Sequence, residues 1–148
     1  MTSLIEVYLR DQVQAMREAV LAESDQLNLG QLIEQLEKVE DPDESDVYFD
    51  FGYTVPTTWA SWRGIYAELA IGWSEPNAKV KAPTVSAFLA ACRACVGQAF
   101  EGWKGGDFVM GLHTPVWVAN PGDANNTAIV GVQDLGYRAI LRTAYRET

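Results

Sequence analysis

Apolar residues recur through the first third of the chain at mostly helical spacings. Leu4, Val7, Leu9, Val13, Met16, Val20 and Leu21 follow a Ser3 N-cap that has Glu6 at the capping-box position, which predicts a helix to about Glu23. Asn28 predicts the cap of a second helix carrying Leu29, Leu32, Ile33, Leu36 and Val39, ending before the acidic turn Glu40-Asp41-Pro42-Asp43-Glu44. From Val47 the pattern turns aromatic and β-branched. Val47 to Phe51 and Ile65 to Ile71 read as a hairpin-like strand pair joined by a Pro/Thr/Trp-rich connection. Thr84 caps a third predicted helix, with Val85, Phe88, Leu89, Cys92, Val96 and Phe100 near one face. Pro115 to Ala119, Thr127 to Val132 and Tyr137 to Tyr145 then read as three strands. The expected fold is α+β: two N-terminal helices, a strand pair, a central helix and a C-terminal group of antiparallel strands.

The 148 residues fit a single domain, in which 1–40 is the helical part and 47–145 a mixed sheet-and-helix part. If the helical third cannot be covered by its own domain, its stripes, Leu29, Leu32 and Leu36 among them, become an oligomer surface. No apolar run approaches a membrane span, and the amino terminus lacks the basic, apolar and small-residue order of a secretion signal, so a soluble protein is expected. The net charge of −9 is unevenly spread: residues 1–50 hold thirteen Asp or Glu against three Lys or Arg, and residues 51–148 hold seven against eight. That field repels a long polyanion such as duplex DNA, so no nucleic-acid partner is expected, whereas a small enclosed anion feels mainly its own pocket.

Aromatics, glycines and single cations crowd together in the middle of the chain, in Phe49 to Tyr53, Trp62-Arg63-Gly64 and Phe100 to Phe108. Such a mixture suits a flat anionic small molecule: aromatic faces stack on bases, Arg and Lys neutralise phosphate, and glycine lets backbone amides come close. Phe51, Tyr53, Trp103 and Phe108 are the stacking candidates, and Arg63, Lys104 and Arg138 the anion ligands. Asn120, Asn125, Asp107 and Thr127 can satisfy ribose or adenine. Arg138, Arg142 and Arg146 share strand parity and point to one face, which is either an anion site or an exposed face partnering acidic helices.

Catalytic and metal signals are weak by comparison. Cys92-Arg93-Ala94-Cys95 has the spacing of a metal or redox pair, but zinc needs two more ligands and the single histidine, His113, offers one. Buried structural thiols within a helix are the better reading. The run Asp43, Glu44, Asp46 and Asp50 lacks the glycine and terminal glutamate of a calcium loop and reads as a solvated turn. Glycines 102, 105 and 106 match neither a P-loop nor a dinucleotide fingerprint. No catalytic residue, metal or cofactor is expected.

Several of these segments resemble small phage proteins of the first Thoeris anti-defence family. The resemblance is carried by Phe49-Asp50-Phe51-Gly52 through Pro56, Ser61-Trp62-Arg63-Gly64-Ile65-Tyr66-Ala67-Glu68-Leu69-Ala70, Gly102-Trp103-Lys104-Gly105-Gly106, Thr114 to Asn120 and Asn126 to Val130, and covers about residues 47–145. It implies a sponge, which binds cyclic ADP-ribose isomers made by bacterial TIR-domain enzymes without cleaving them, in the cytoplasm of the infected host. It further implies a homo-oligomer, dimer or hexamer, and for some members a separate site for cyclic oligonucleotides. Two other functions compete. A phosphodiesterase or nucleotide hydrolase of the same ligands would have to draw on Asp50, Asp107 and His113, and an interaction protein would bind a host protein through its aromatic loops and acidic helices.

Overall fold

The computed structural model describes residues 26–61, 68–101, 107–119 and 127–145. The expected first helix, with its Ser3 cap, lies outside the described residues. The elements that follow are α1 (Leu29–Glu37), β1 (Asp46–Phe49), β2 (Val55–Ser61), β3 (Leu69–Ser74), α2 (Val85–Cys95), β4 (Ala99–Glu101), β5 (Asp107–Val109), β6 (Val116–Val118), β7 (Thr127–Asp134) and β8 (Arg138–Tyr145).

The α+β expectation is overturned. Strand residues outnumber helical ones about two to one among those described, and six strands form one barrel-like sheet in the order β1-β8-β7-β6-β3-β2. Two of its pairings, β1 with β8 and β3 with β6, are parallel, so β1 does not pair with β3 as the sequence suggested. The expected connection is instead a strand. Val55–Ser61 pairs antiparallel with β3, because its Val, Thr and Trp residues suit a pleated surface and its lone proline, Pro56, sits beside a register shift between Pro56 and Thr58. The glycine-containing segment after α2 is flanked by a second, two-stranded sheet of β4 and β5, and α2 stops at Cys95, before a left-handed Gly97, rather than reaching Phe100.

Both helices pack against the inner face of the sheet. Asn28 caps α1 in a full capping box with Gln31, and Thr84 caps α2 through the Ala87 amide. Leu29, Leu32, Ile33 and Leu36 from α1 meet Val85, Phe88, Leu89, Cys92 and Cys95 from α2 in one cluster. Val47, Ile71, Val116, Ile129 and Leu141 close it from the strands. Leu29, Leu32 and Leu36 are fully buried within this chain, so that stripe is core and not a surface for assembly. No helix among the described residues is long and apolar enough to cross a membrane.

Two close contacts fix the sheet locally. At the β7 irregularity between Ile129 and Gly131 the Val132 amide donates to Gln35 Oε1 of α1 at 2.8 Å, which satisfies a donor that the ladder would otherwise leave bare. On β3, a methyl added at Gly72 would overlap the Thr58 hydroxyl of β2. Gly72→Ala should therefore cost about 1–3 kcal/mol in urea denaturation, as overpacked sites do. The same change in a Thr58→Ala background should cost much less, since the obstructing hydroxyl is gone.

Candidate functional site

The sheet stops short of closing where its two edge strands meet. β1 runs into β2 through the turn Asp50-Phe51-Gly52-Tyr53, in which Gly52 adopts φ +58, the Phe49 amide donates to Thr54 O at 3.0 Å, and the Thr54 hydroxyl caps Phe51 O at 2.7 Å. The segment between β3 and α2 crosses the outer edge of β1: Val47 N–H donates to Pro83 O and Val85 N–H to Ser45 O, each at 2.8 Å. Upstream of that crossing, Asn77 Oδ1 accepts from the Lys79 and Val80 amides and folds residues 77–80 into a compact turn. Between this turn and β1 lies an open cleft of about 500 Å³, lined by Asp46, Tyr48, Tyr53, Asn77, Val80 and Lys81 together with Pro76 and Ala82.

One wall of the cleft is a stack. Tyr48 and Tyr53 lie 5.4 Å apart at an angle of 25°, with their phenol oxygens 3.4 Å apart and sharing a hydrogen bond. The Arg138 guanidinium sits over the Tyr48 ring, 4.3 Å from its centroid, and 6.0 Å from the centroid of Tyr137. Strand register explains this meeting, since Asp46 pairs with Arg138 and Tyr48 with Ile140 along the parallel β1–β8 ladder. The hydrogen bond with Tyr53 and burial hold the Tyr48 hydroxyl above its ordinary range, against the opposing pull of Arg138. Tyr48 therefore stays a phenol, able to donate a hydrogen bond. Tyr53 is 58% exposed, so a large apolar face in the lining stands open to a ligand.

No family model, curated protein or solved structure matches this chain.

Of the residues expected to bind a ligand, Tyr53 lines the cleft, and Arg138 stands outside its lining, over the Tyr48 ring. Phe51 stacks on Phe49 at 5.0 Å and meets Trp73 edge-on at 5.8 Å, against the main core. Thr127 opens β7 opposite Tyr145, seven positions along the strand from Arg138, or roughly 23 Å. Asp107 and Phe108 lie on β5, paired with Glu101 and Phe100. Arg63, Trp103, Lys104, Asn120 and Asn125 lie outside the described residues, as does Arg146. Arg142 does share the outward face with Arg138, but it pairs with Asp50 at 3.8 Å. Asp50 in turn clamps Thr143, accepting from its amide at 2.8 Å and its hydroxyl at 2.5 Å, so it ties β1 to β8. Sequence reasoning missed Tyr48, Asn77 and Lys81; the one available signal was the alternation that puts Tyr48 and Asp46 on the same side of β1.

Cys92 and Cys95 are buried free thiols on α2, as expected. Burial pushes the Cys92 thiol up from 9.0 to about 12, outweighing a nearby Trp59 indole that favours the thiolate, and burial raises Cys95 as well. Because the folded thiol holds its proton where the unfolded one loses it, this contribution to stability is intact below pH 9 and fades as the pH climbs toward 12. Urea midpoints measured at pH 8 and pH 10 should fall further in the wild type than in Cys92→Ala. Equal falls in both proteins would show that Cys92 ionises freely in the fold. Among the described residues no group of three or more His, Cys, Asp or Glu could hold a metal ion.

Proposed function

We propose that this protein binds a small anionic nucleotide of the cyclic ADP-ribose class in the cleft lined by Tyr48, Tyr53 and Lys81, with Arg138 at its margin, and holds it without cleaving it. The observation that carries the reading is the Arg138 guanidinium stacked 4.3 Å over Tyr48 beside the exposed Tyr53 face, with Lys81 among the lining residues. A base or ribose can lie on the open tyrosine, while the edge of a guanidinium already fixed by stacking offers paired donors to a phosphate. The cleft volume falls within the range of small-molecule sites. The resemblance of residues 47–145 to the first Thoeris anti-defence family names cyclic ADP-ribose isomers as the ligands to try, and gives the function as a phage sponge acting in the host cytoplasm. Any homo-oligomer, dimer or hexamer, would have to use a surface other than the buried Leu29–Leu36 stripe.

Sequestration and hydrolysis differ in what leaves the protein. The complex with a cyclic ADP-ribose isomer should release intact ligand when the protein is heat-denatured and the supernatant weighed by mass spectrometry. A linear product accumulating beyond one equivalent per chain would replace the sponge with a hydrolase.

A further inference from the structure

Charges around the cleft are arranged unequally. Lys81, from the segment before α2, is the cation among the lining residues and Asp46, at the first position of β1, the acid, while Arg138 of β8 adds a second cation at the margin, over the Tyr48 ring. Asp46 is the ladder partner of Arg138, yet its carboxylate forms no ion pair with Arg138 or another of the described residues. Its backbone is tied to the segment leading into β8, with the amide donating to Tyr137 O at 3.3 Å. It also acts on the site electrically, adding to the rise of the Tyr48 hydroxyl.

We infer that Asp46 is the specificity residue of this cleft, accepting a hydrogen bond from a ribose hydroxyl and excluding ligands that carry a phosphate at that position. The inference rests on the nucleotide-binding reading above. A carboxylate beside a cation is the chemistry that separates a free ribose hydroxyl from its phosphate ester, because the hydroxyl donates to the carboxylate and the ester dianion is repelled by it. Arg138 and Lys81 attract any phosphate, so without Asp46 the cleft would favour the more highly charged ligand. The carboxylate reverses that order.

The test uses calorimetry of the full chain with two probes, cyclic ADP-ribose and cyclic ADP-ribose 2′-phosphate. Wild type should bind the first at least about tenfold more tightly, the size expected of one unfavourable charge pair a few ångströms apart in a partly solvated site. Asp46→Asn keeps the shape and should erase or invert that preference, mainly by tightening the 2′-phosphate. Arg138→Ala should weaken both probes alike. A wild-type preference that survives unchanged in Asp46→Asn overturns the assignment to Asp46 while leaving the binding site in place. Binding of neither probe by folded wild type overturns this inference, and the underlying reading falls with it only when no other cyclic ADP-ribose isomer binds either.

Discussion

Phe88→Ala should lower the stability of this protein by about 3–5 kcal/mol, the usual cost of removing a fully buried aromatic ring. Phe88 has no exposure and lies on α2, 5.5 Å from Trp59 of β2, in the cluster where both helices meet the strands. The ring thus ties α2 to β2, the edge strand farthest from β1 in the sheet order. Its loss leaves a cavity with neighbours from a helix and a strand, which cannot all collapse inward together. Phe88→Leu, which refills most of the volume, should cost distinctly less. Urea denaturation followed by tryptophan fluorescence will read both. A loss below about 1 kcal/mol for Phe88→Ala would mean that α2 does not pack on the inner face of the sheet.

Arg138→Ala should weaken binding of a cyclic ADP-ribose isomer by about 1.5–3 kcal/mol, roughly 10- to 150-fold in Kd. The guanidinium is positioned by two tyrosines rather than by a carboxylate, so its donors remain available to an incoming anion. Arg138→Lys should recover only part of the loss, since an ammonium neither stacks flat nor offers a planar pair of donors. Arg142→Ala is the informative control. It carries the same charge on the same strand and face but is engaged with Asp50, so its removal should leave Kd within a few fold of wild type. Equal losses in the two variants would reduce the effect to general electrostatics.

Local signals in the sequence were legible where they had a local cause. The Asn28 and Thr84 caps, the apolar stripes of both helices and the three C-terminal strand segments all follow from neighbouring residues. Pairing was not legible, because the parallel partners of β1 and β3 are β8 and β6, far along the chain, and nothing in Asp46–Phe49 records a parallel neighbour. β2 was hidden by Pro56, which reads as a strand breaker yet is tolerated at an edge and beside an irregularity. The cleft divides in the same way. Tyr53 and Arg138 stood out as an aromatic in a turn and a cation on a face, whereas Tyr48 and Lys81 acquire meaning only once the β1–β8 ladder and the crossing at Pro83 bring them together.

Calorimetric titration of cyclic ADP-ribose isomers into wild type and Tyr53→Ala tests the central claim most directly, because Tyr53 is exposed and its removal leaves the core untouched. Saturable binding of at least one isomer at one per chain, weakened by about 1–3 kcal/mol when the stacking face is lost, is the predicted result. No binding of any isomer by the folded wild-type protein, or binding that Tyr53→Ala leaves unchanged, would contradict it.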